Sequence, residues 1–595
     1  MIRAGLLALI LAGGTAARAT AQADTTRRDT TTVRDTAAAP DTTQRDTAAV
    51  LLPTFAAPIA PGPLPRGSRY TFTTDSLLLT NAKTLSDLLA HIPGVYIARG
   101  GWYGQGEIVM YGGRGAAAIE VYWDGVPYLP LGRDSVYLDP ARIALAPLER
   151  IDVIVLPAML RVYLISLRPR STVPLTQIGI STGDQDIANY RAGYAIRTRS
   201  GFGASLIADW NAVGSSSTFS TTTSFGSTDL WLKAEYVPPH QHYGASFQLL
   251  SSSWHRNPST DGRVEGWRQD RRDRVLRVFY AQRDDDRGLR ATATFFSTSL
   301  GHDTLVNPRG LSAATLDVAQ TWRNASVSGT ARLGWSGAPS ALEARAGWTP
   351  IAPLTVAADL RHASYPGGRT GERVHVSAGV LLPFGFSARG EAAWRHDVQS
   401  YAVTTDPLQR TTDVAGWVRF DSRRLVLEVG RGRNDAFAPL GFAAGITTVD
   451  SLNPTPRTEF VAARGSIRPV AGLELSAWYF HPVVGGGDFE PPQHTRISAT
   501  FYSKFWRVFR SGIFALRGEI AVESWSRWSF GGLSGGTPRV MGGATFAETN
   551  LEMQLVGVTI FWTIQNVNLM RSSYVEGLGY PKSAQQYGAR WFFTN

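Results

Sequence analysis

Alternating apolar and polar positions dominate the chain from about residue 171 to its C-terminus. In the segment 386–395, every second position is apolar or small, and the positions between them include Arg389, Glu391 and Arg395. Successive side chains of a β-strand point to opposite faces, so this pattern predicts strands with one apolar and one charged face. A soluble β-protein buries the apolar face, whereas a membrane β-barrel turns it to lipid. Alternation alone does not distinguish these two folds.

The lengths of the connections between the predicted strands do distinguish them. Short turns, such as 382–385 and 421–424, alternate with long connections, such as 397–411 and 432–457. Short turns at one rim and long loops at the other are typical of outer-membrane barrels. We therefore predict that residues 173–595 form a transmembrane antiparallel β-barrel of about 22 strands.

Residues 68–172 show a different pattern, which predicts a small α/β domain. Helical spacing over 84–89 ends at the breaker Pro93-Gly94. The turn Asp124-Gly125 separates two apolar stretches, as in a tight turn between strands. Short strands are predicted at 95–98, 107–111, 119–123 and 150–155.

The first 67 residues are predicted to lie outside both domains. A positively charged start, an apolar run over 5–12 and the small-residue pattern Ala21-Gln22-Ala23 predict a secretory signal peptide, residues 1–23. Residues 24–67 repeat Arg-Asp-Thr and contain one aromatic residue, Phe55. Such a segment buries too little surface to offset its chain entropy, so it is predicted to be a disordered periplasmic tether.

Composition excludes several classes of protein. The chain has no cysteine among 595 residues, which excludes a disulfide scaffold and a cysteine-ligated metal site. Its ten histidines form no zinc-binding motif, and no paired catalytic carboxylates or G-x-S-x-G elbow is present. We therefore predict no catalytic residues, no metal site, no cofactor and no enzyme activity. The formal net charge is +11, but the arginines are spread along strands, so nucleic-acid binding is not predicted.

One local concentration of positive charge stands out within the predicted barrel. It is interleaved with Asp270 and Asp273 and is predicted to be a solvated loop and strand end. Contact with anionic lipopolysaccharide is the alternative interpretation. The cluster consists of Arg268, Arg271, Arg272, Arg274 and Arg277.

Four segments, in order and at similar spacing, resemble the plug domain of TonB-dependent outer-membrane receptors. They are 84–95, 114–115, 121–127 and 148–153, and the C-terminal segments 561–567, 579–581 and 587–593 resemble the last two barrel strands of that family. The resemblance implies a 22-stranded barrel closed by an internal plug, in agreement with the strand count from alternation. It also implies a receptor that binds a scarce, unknown solute at the cell surface and imports it with the periplasmic partner TonB.

The chain departs from the family after Val155. The family continues there with glycine-rich sequence, whereas residues 156–170 of this chain contain no glycine. This departure keeps a second function open: an uncoupled outer-membrane barrel with a structural plug, serving adhesion or surface assembly.

The resemblance further implies a TonB box, a short segment that pairs with a strand of TonB by β-augmentation. Two segments have the acidic-Thr-x-x-Val form: one is 29–33, and the other, which we prefer, is Asp46, Thr47, Ala48, Ala49 and Val50.

Four charged residues of the predicted plug lie beside apolar strands inside the predicted lumen. They are Arg114, Asp124, Glu149 and Arg150. We consider two interpretations, a paired charge network that holds the plug and ordinary solvated turn charges.

Overall fold

The computed structural model describes residues 51–594 except for the gaps given at the end of this paragraph. The predicted signal peptide, most of the tether and both TonB-box candidates lie outside the described residues. The gaps are 53–61, 75–81, 83, 100–105, 132–137, 215–223, 240–241, 259–265, 284–286, 302–308, 404, 445–446, 506–507, 509–512, 531–538, 576–579 and 581–582.

The N-terminal domain is a small α/β unit. Its main sheet has the order β1-β6-β7-β4-β5, in which β4 and β7 are parallel, and β2 pairs with β3 in a separate hairpin. The helix α1 begins after Thr84, whose backbone N–H donates to the Asp87 carboxylate (3.1 Å). The elements are β1 Arg69–Thr73, α1 Leu85–Leu89, β2 Tyr96–Arg99, β3 Glu107–Met110, β4 Ile119–Trp123, β5 Val126–Pro127, β6 Leu148–Leu156 and β7 Met159–Ser166, with 3₁₀ turns at Gly115–Ala118 and Pro140–Arg142.

The glycine-free segment that follows Val155 forms β7, which lies between β6 and β4 in the sheet. Every residue of β7 is buried. A strand covered on both faces requires side chains at each position to fill the core, which explains why glycine is absent there. The tight turn from β6 into β7 places Ala158 at a φ of 53°.

The rest of the described chain forms a closed antiparallel barrel of 22 strands, in which the last strand, β33, pairs with the first, β8. The predicted fold class is confirmed. The barrel strands are β8 Leu175–Gly183, β9 Ala188–Arg197, β10 Phe202–Val213, β11 Phe225–Tyr236, β12 Tyr243–Arg256, β13 Trp267–Ala281, β14 Gly288–Gly301, β15 Arg309–Thr321, β16 Ala325–Trp335, β17 Ser340–Ile351, β18 Leu354–Ser364, β19 Thr370–Leu381, β20 Phe386–Asp397, β21 Gln409–Asp421, β22 Leu425–Asn434, β25 Thr458–Val470, β26 Leu473–Val484, β27 His494–Ser503, β28 Phe514–Trp525, β31 Ala544–Leu555, β32 Val558–Gln565 and β33 Ala584–Thr594.

The two rims of the barrel differ, as the loop lengths predict. One rim has short turns, such as 352–353 and 556–557. The other carries the long connections, two of which contain small hairpins. These hairpins pair β23 Leu440–Ala444 with β24 Thr447–Ser451, and β29 Trp528–Phe530 with β30 Arg539–Met541.

The barrel is apolar outside and charged inside. Large apolar side chains such as Leu342, Leu360 and Val376 are exposed on the outer face. The intervening residues point inward, and many of them are buried charged or polar residues. Because a closed barrel satisfies its backbone hydrogen bonds between strands, an apolar outer face suits a lipid environment. Within the described parts of the chain, we find no helix with the length and apolar character needed to cross a membrane.

Candidate functional site

The interface between the plug and the barrel combines buried apolar clusters with an ion-pair network. At its centre are Glu120 on β4 and Arg161 on β7, which are register partners on parallel strands. Glu120 accepts a hydrogen bond from Nη1 of Arg361 (2.9 Å), contacts the guanidinium of Arg373, and lies 3.3 Å from Nε of Arg161. One plug carboxylate thus meets three guanidinium groups, two of them on the barrel wall.

Arg161 extends this network along the barrel strand β18. Its guanidinium donates two hydrogen bonds to Asp359 (2.8 and 3.2 Å), a bidentate arrangement that fixes geometry as well as charge. Arg345 donates to the same carboxylate (2.8 Å) and to Glu343 (2.7 Å). Burial alone would raise the pKa of the Glu120 carboxyl, but Arg373, Arg361 and Arg161 together hold this pKa well below its ordinary value.

Sequence reasoning missed both plug residues at the centre of this network. Each is a single charged residue within an apolar strand: Glu120 lies within Ile119–Trp123, and Arg161 lies within Met159–Ser166. A buried charge must be paired, so a lone charge in a fully buried strand is a signal for a partner elsewhere. The identity of that partner cannot be inferred from local sequence.

Arg114 is a second junction between the plug and the barrel. It is 2% exposed and forms an ion pair with Asp413 of β21, which is 0% exposed. Its Nη1 donates to the carbonyl of Asp435 (3.2 Å), and its guanidinium lies 4.6 Å from the centre of the Phe437 ring. The side chain is therefore held by barrel residues on several sides.

The glycines around Arg114 allow this close approach. Gly112, Gly113 and Gly115 all have a positive φ. A Cβ atom on Gly113 would lie 2.6 Å from Cγ2 of Thr455, whose hydroxyl donates to the Gly113 carbonyl (3.0 Å). The Gly113 N–H in turn donates to the Glu490 carboxylate. The turn is thus clamped by two of the long connections of the barrel.

The side chains of the other three predicted charged residues pair with residues of the plug itself. The Asp124 carboxylate accepts from the backbone N–H (2.9 Å) and hydroxyl (2.6 Å) of Ser166. Nε of Arg168 donates to Glu149 (2.6 Å), and Nε of Arg150 donates to Asp152 (2.9 Å). The four residues therefore have four separate sets of partners, and their contribution to holding the plug stays a prediction.

The N-terminal end of the plug is fixed at the rim with the short turns. The Arg66 carbonyl accepts from Arg389 (3.2 Å), and the Gly67 carbonyl accepts from Arg464 (3.3 Å). Both arginines also pair with the buried Glu428. Earlier in the chain, the Leu52 N–H donates to the carbonyl of Arg170, where the plug leads into the barrel (2.9 Å).

Comparison with known proteins agrees with this architecture. Residues 66–160 match the family model of the TonB-dependent receptor plug domain. The matched residues lie inside the closed 22-stranded barrel. The chain therefore contains a plug domain of the TonB-dependent receptor type.

Solved structures of such receptors share the fold. The chain is similar to a variant of the ferric enterobactin receptor of Pseudomonas aeruginosa (11% identity, TM-score 0.67, covering 89% of this chain and 98% of that one). It is also similar to the siderophore receptor PirA of Acinetobacter baumannii (12% identity, TM-score 0.66, 89% and 98%). A third is the FrpB iron transporter of Neisseria meningitidis (9% identity, TM-score 0.68, 89% and 99%). No curated protein matches the sequence. The plug domain within a closed 22-stranded barrel indicates an outer-membrane protein, as predicted.

A cavity of about 450 Å³ separates the plug from part of the barrel wall. It lies between α1, β3 and the 140–148 segment on one side and strands β8–β12 and β31–β33 on the other. On the plug side, Arg99 pairs with Asp87 (2.8 Å) and Glu107 (3.0 Å). On the barrel side, Arg191 pairs with Asp209 (2.8 Å). The lining therefore places paired charges on both sides among apolar side chains, and a space of this size holds water and small solutes.

Proposed function

We propose that this receptor imports a scarce solute through the barrel, with TonB supplying the energy. The observation that carries the proposal is the mixed character of the contact between the plug and the barrel. The largest apolar core, formed by residues such as Leu88, Ile151 and Val162, lies mainly within the plug itself. The contacts of the plug with the barrel combine the ion pairs of Glu120 and Arg161 with smaller apolar clusters. Polar contacts can be exchanged for water, so the ion-paired part of this interface can open while the core of the plug stays buried.

The position of the N-terminal end supports energy coupling. The plug begins at the short-turn rim, which faces the periplasm in barrels of this kind. The preferred TonB box, residues 46–50, directly precedes Leu51 and Leu52, which pair with the segment leading from the plug into the barrel. A pull on the box would therefore act first on these contacts and then on the plug.

The class of solute is proposed from the neighbours. The similar structures include a ferric enterobactin receptor and a ferric yersiniabactin uptake receptor. Ferric siderophores are therefore the first solutes to test. A cavity separates the plug from the wall beside strands β8–β12, and we propose that the solute passes there.

The test uses paired proline substitutions in the full-length protein. Proline removes a backbone donor and fixes φ, so it blocks pairing with a strand of TonB. We expect Ala48→Pro with Val50→Pro to abolish crosslinking to TonB and uptake of ferric enterobactin or ferric yersiniabactin, while binding of either probe at the cell surface is kept. Thr30→Pro with Thr32→Pro is the matched control and is expected to leave crosslinking unchanged.

The alternative is an uncoupled barrel with a structural plug, serving adhesion or surface assembly. The buried central strand β7 and its bidentate contact with Asp359 favour it, because they tie the plug exit firmly to the wall. Full uptake after deletion of residues 24–60 would contradict coupling through the tether and support this alternative.

A further inference from the structure

The arginine cluster of the sequence lies on one strand, β13, which begins at Trp267. The loop predicted there is wrong, since the strand includes the whole cluster. Alternation divides the cluster between the two faces of the wall. Arg271 and Arg277 point inward, where they donate to the plug carbonyls of Leu129 (2.9 Å) and Asp124 (2.6 Å).

The other three arginines, Arg268, Arg272 and Arg274, are exposed on the outer face. Arg268 lies 3.5 Å from the Asp270 carboxylate. Within the described residues, Arg272 and Arg274 have no ion-pair or hydrogen-bond partner. An unpaired arginine on a lipid-facing wall is costly, so a counter-ion from the membrane itself would stabilise it.

The neighbouring strands leave room around these two guanidinium groups. Arg272 lies in register between Ser251 of β12 and Ser299 of β14, and Arg274 has Ser297 of β14 beside it. Small hydroxyl side chains therefore flank the arginines and supply further donors. Two residues apart on one strand, the two Cα atoms are about 7 Å apart, close enough for both guanidinium groups to contact one phosphate.

The same face becomes apolar toward the short-turn rim. The next outward residues of β13, Leu276 and Val278, are 49% and 55% exposed, and Phe295 of β14 lies opposite Leu276. Arg272 lies on the half of the strand nearer the long loops, which is the outer-leaflet half, and Arg274 lies at the midpoint of the strand. The cations of the patch thus lie toward the outer leaflet, and its apolar side chains lie toward the short-turn rim.

We propose that Arg272 and Arg274 bind the phosphate of a lipopolysaccharide molecule in the outer leaflet. Arginine is suited to this role because its planar fork forms bidentate contacts with phosphate. The inference rests on the outer-membrane location of the barrel and is independent of solute import.

The test measures lipopolysaccharide binding by the full-length protein purified in detergent. The variant is Arg272→Ser with Arg274→Ser, which matches the serines of the neighbouring strands. Arg431→Ser is the matched control: it removes an outward arginine of β22 that already pairs with Glu459 (2.6 Å). Faster migration of unboiled protein on detergent gels checks that both variants fold.

We expect the double variant to lose affinity for fluorescent lipopolysaccharide by at least about tenfold, and the control to bind like the wild type. Dephosphorylated lipopolysaccharide is expected to bind the wild type as weakly as intact lipopolysaccharide binds the double variant. Unchanged binding by the folded double variant would overturn the proposal. If the wild type bound dephosphorylated lipopolysaccharide as tightly as intact lipopolysaccharide, the proposal would be overturned as well. Phosphatidylglycerol vesicles that compete as well as intact lipopolysaccharide would also overturn it, because the site would then not be specific for this lipid.

Discussion

Single charged residues in apolar strands join the plug to the barrel. Glu120 and Arg161 occupy strands that are otherwise apolar, and each finds its partners on the barrel wall. A buried ion pair contributes little net stability, but removing one partner leaves an uncompensated charge. Substitutions at these positions therefore test the interface directly.

We expect Glu120→Gln to weaken plug docking by about 3–5 kcal/mol, because three guanidinium groups lose their shared carboxylate. The measurement is protease cleavage of the plug within the folded barrel, together with leak of small antibiotics into cells. Glu372→Gln is the control, since Glu372 is 55% exposed on the outer face beside His362. Unchanged protease resistance in the Glu120 variant would show that the network does not hold the plug.

The same carboxylate predicts a pH dependence. Its pKa is held low in the folded state, so its contribution is fully present above the ordinary pKa of glutamate, about 4.3, and is lost as the pH falls below that value. We expect plug protection against hydrogen exchange to fall between about pH 4 and pH 2 and to fall less in the Glu120→Gln variant. Identical acid profiles for the two proteins would contradict this assignment.

Arg114→Ala is expected to destabilise the plug by about 3–5 kcal/mol, because Asp413 would remain buried and unpaired. The double variant Arg114→Ala with Asp413→Ala removes both charges and should be more stable than the single variant. Protease resistance and antibiotic leak measure both. Additive effects of the two substitutions would falsify the pairing.

At the scale of elements, the face of the strand on which a residue lies decides what its side chain contacts. The arginines of β13 are close in sequence, yet Arg271 and Arg277 contact the plug while Arg272 and Arg274 face lipid. The hairpin of β6 and β7 shows a second effect of element packing. Its glycine-free sequence, which departs from the family pattern, includes a buried central strand of the plug sheet.

At the scale of the whole molecule, closure of the barrel explains its expected resistance to unfolding. All 22 strands are paired on both sides, so the described wall has no free edge at which unfolding begins. We expect the unboiled protein to migrate faster than the boiled protein on detergent gels and to fractionate with outer membranes. Recovery as a soluble periplasmic protein would be incompatible with this structure.

Much of the fold could be predicted from the sequence because strand alternation and turn length are local properties. They predict the barrel, its strand count and its unequal rims, and the plug strands near 107–111 and 119–123 lie close to those observed. The signal peptide and the TonB box lie outside the described residues and stay predictions. The predicted loop at the arginine cluster of β13 was wrong. Closely spaced charged residues are typical of a loop, and the sequence does not show that they alternate between the two faces of a strand.

The sequence by itself determined which residues alternate, where turns fall and which strands carry an isolated charge. The tertiary structure alone decided which charges meet. Arg373 and Glu120 are 253 positions apart, and Arg114 and Asp413 are 299 apart. Their contact depends on the register of the closed barrel and on how the plug sits within it. No local pattern encodes that register, because each strand pairs correctly only when all the others have closed the barrel around the plug.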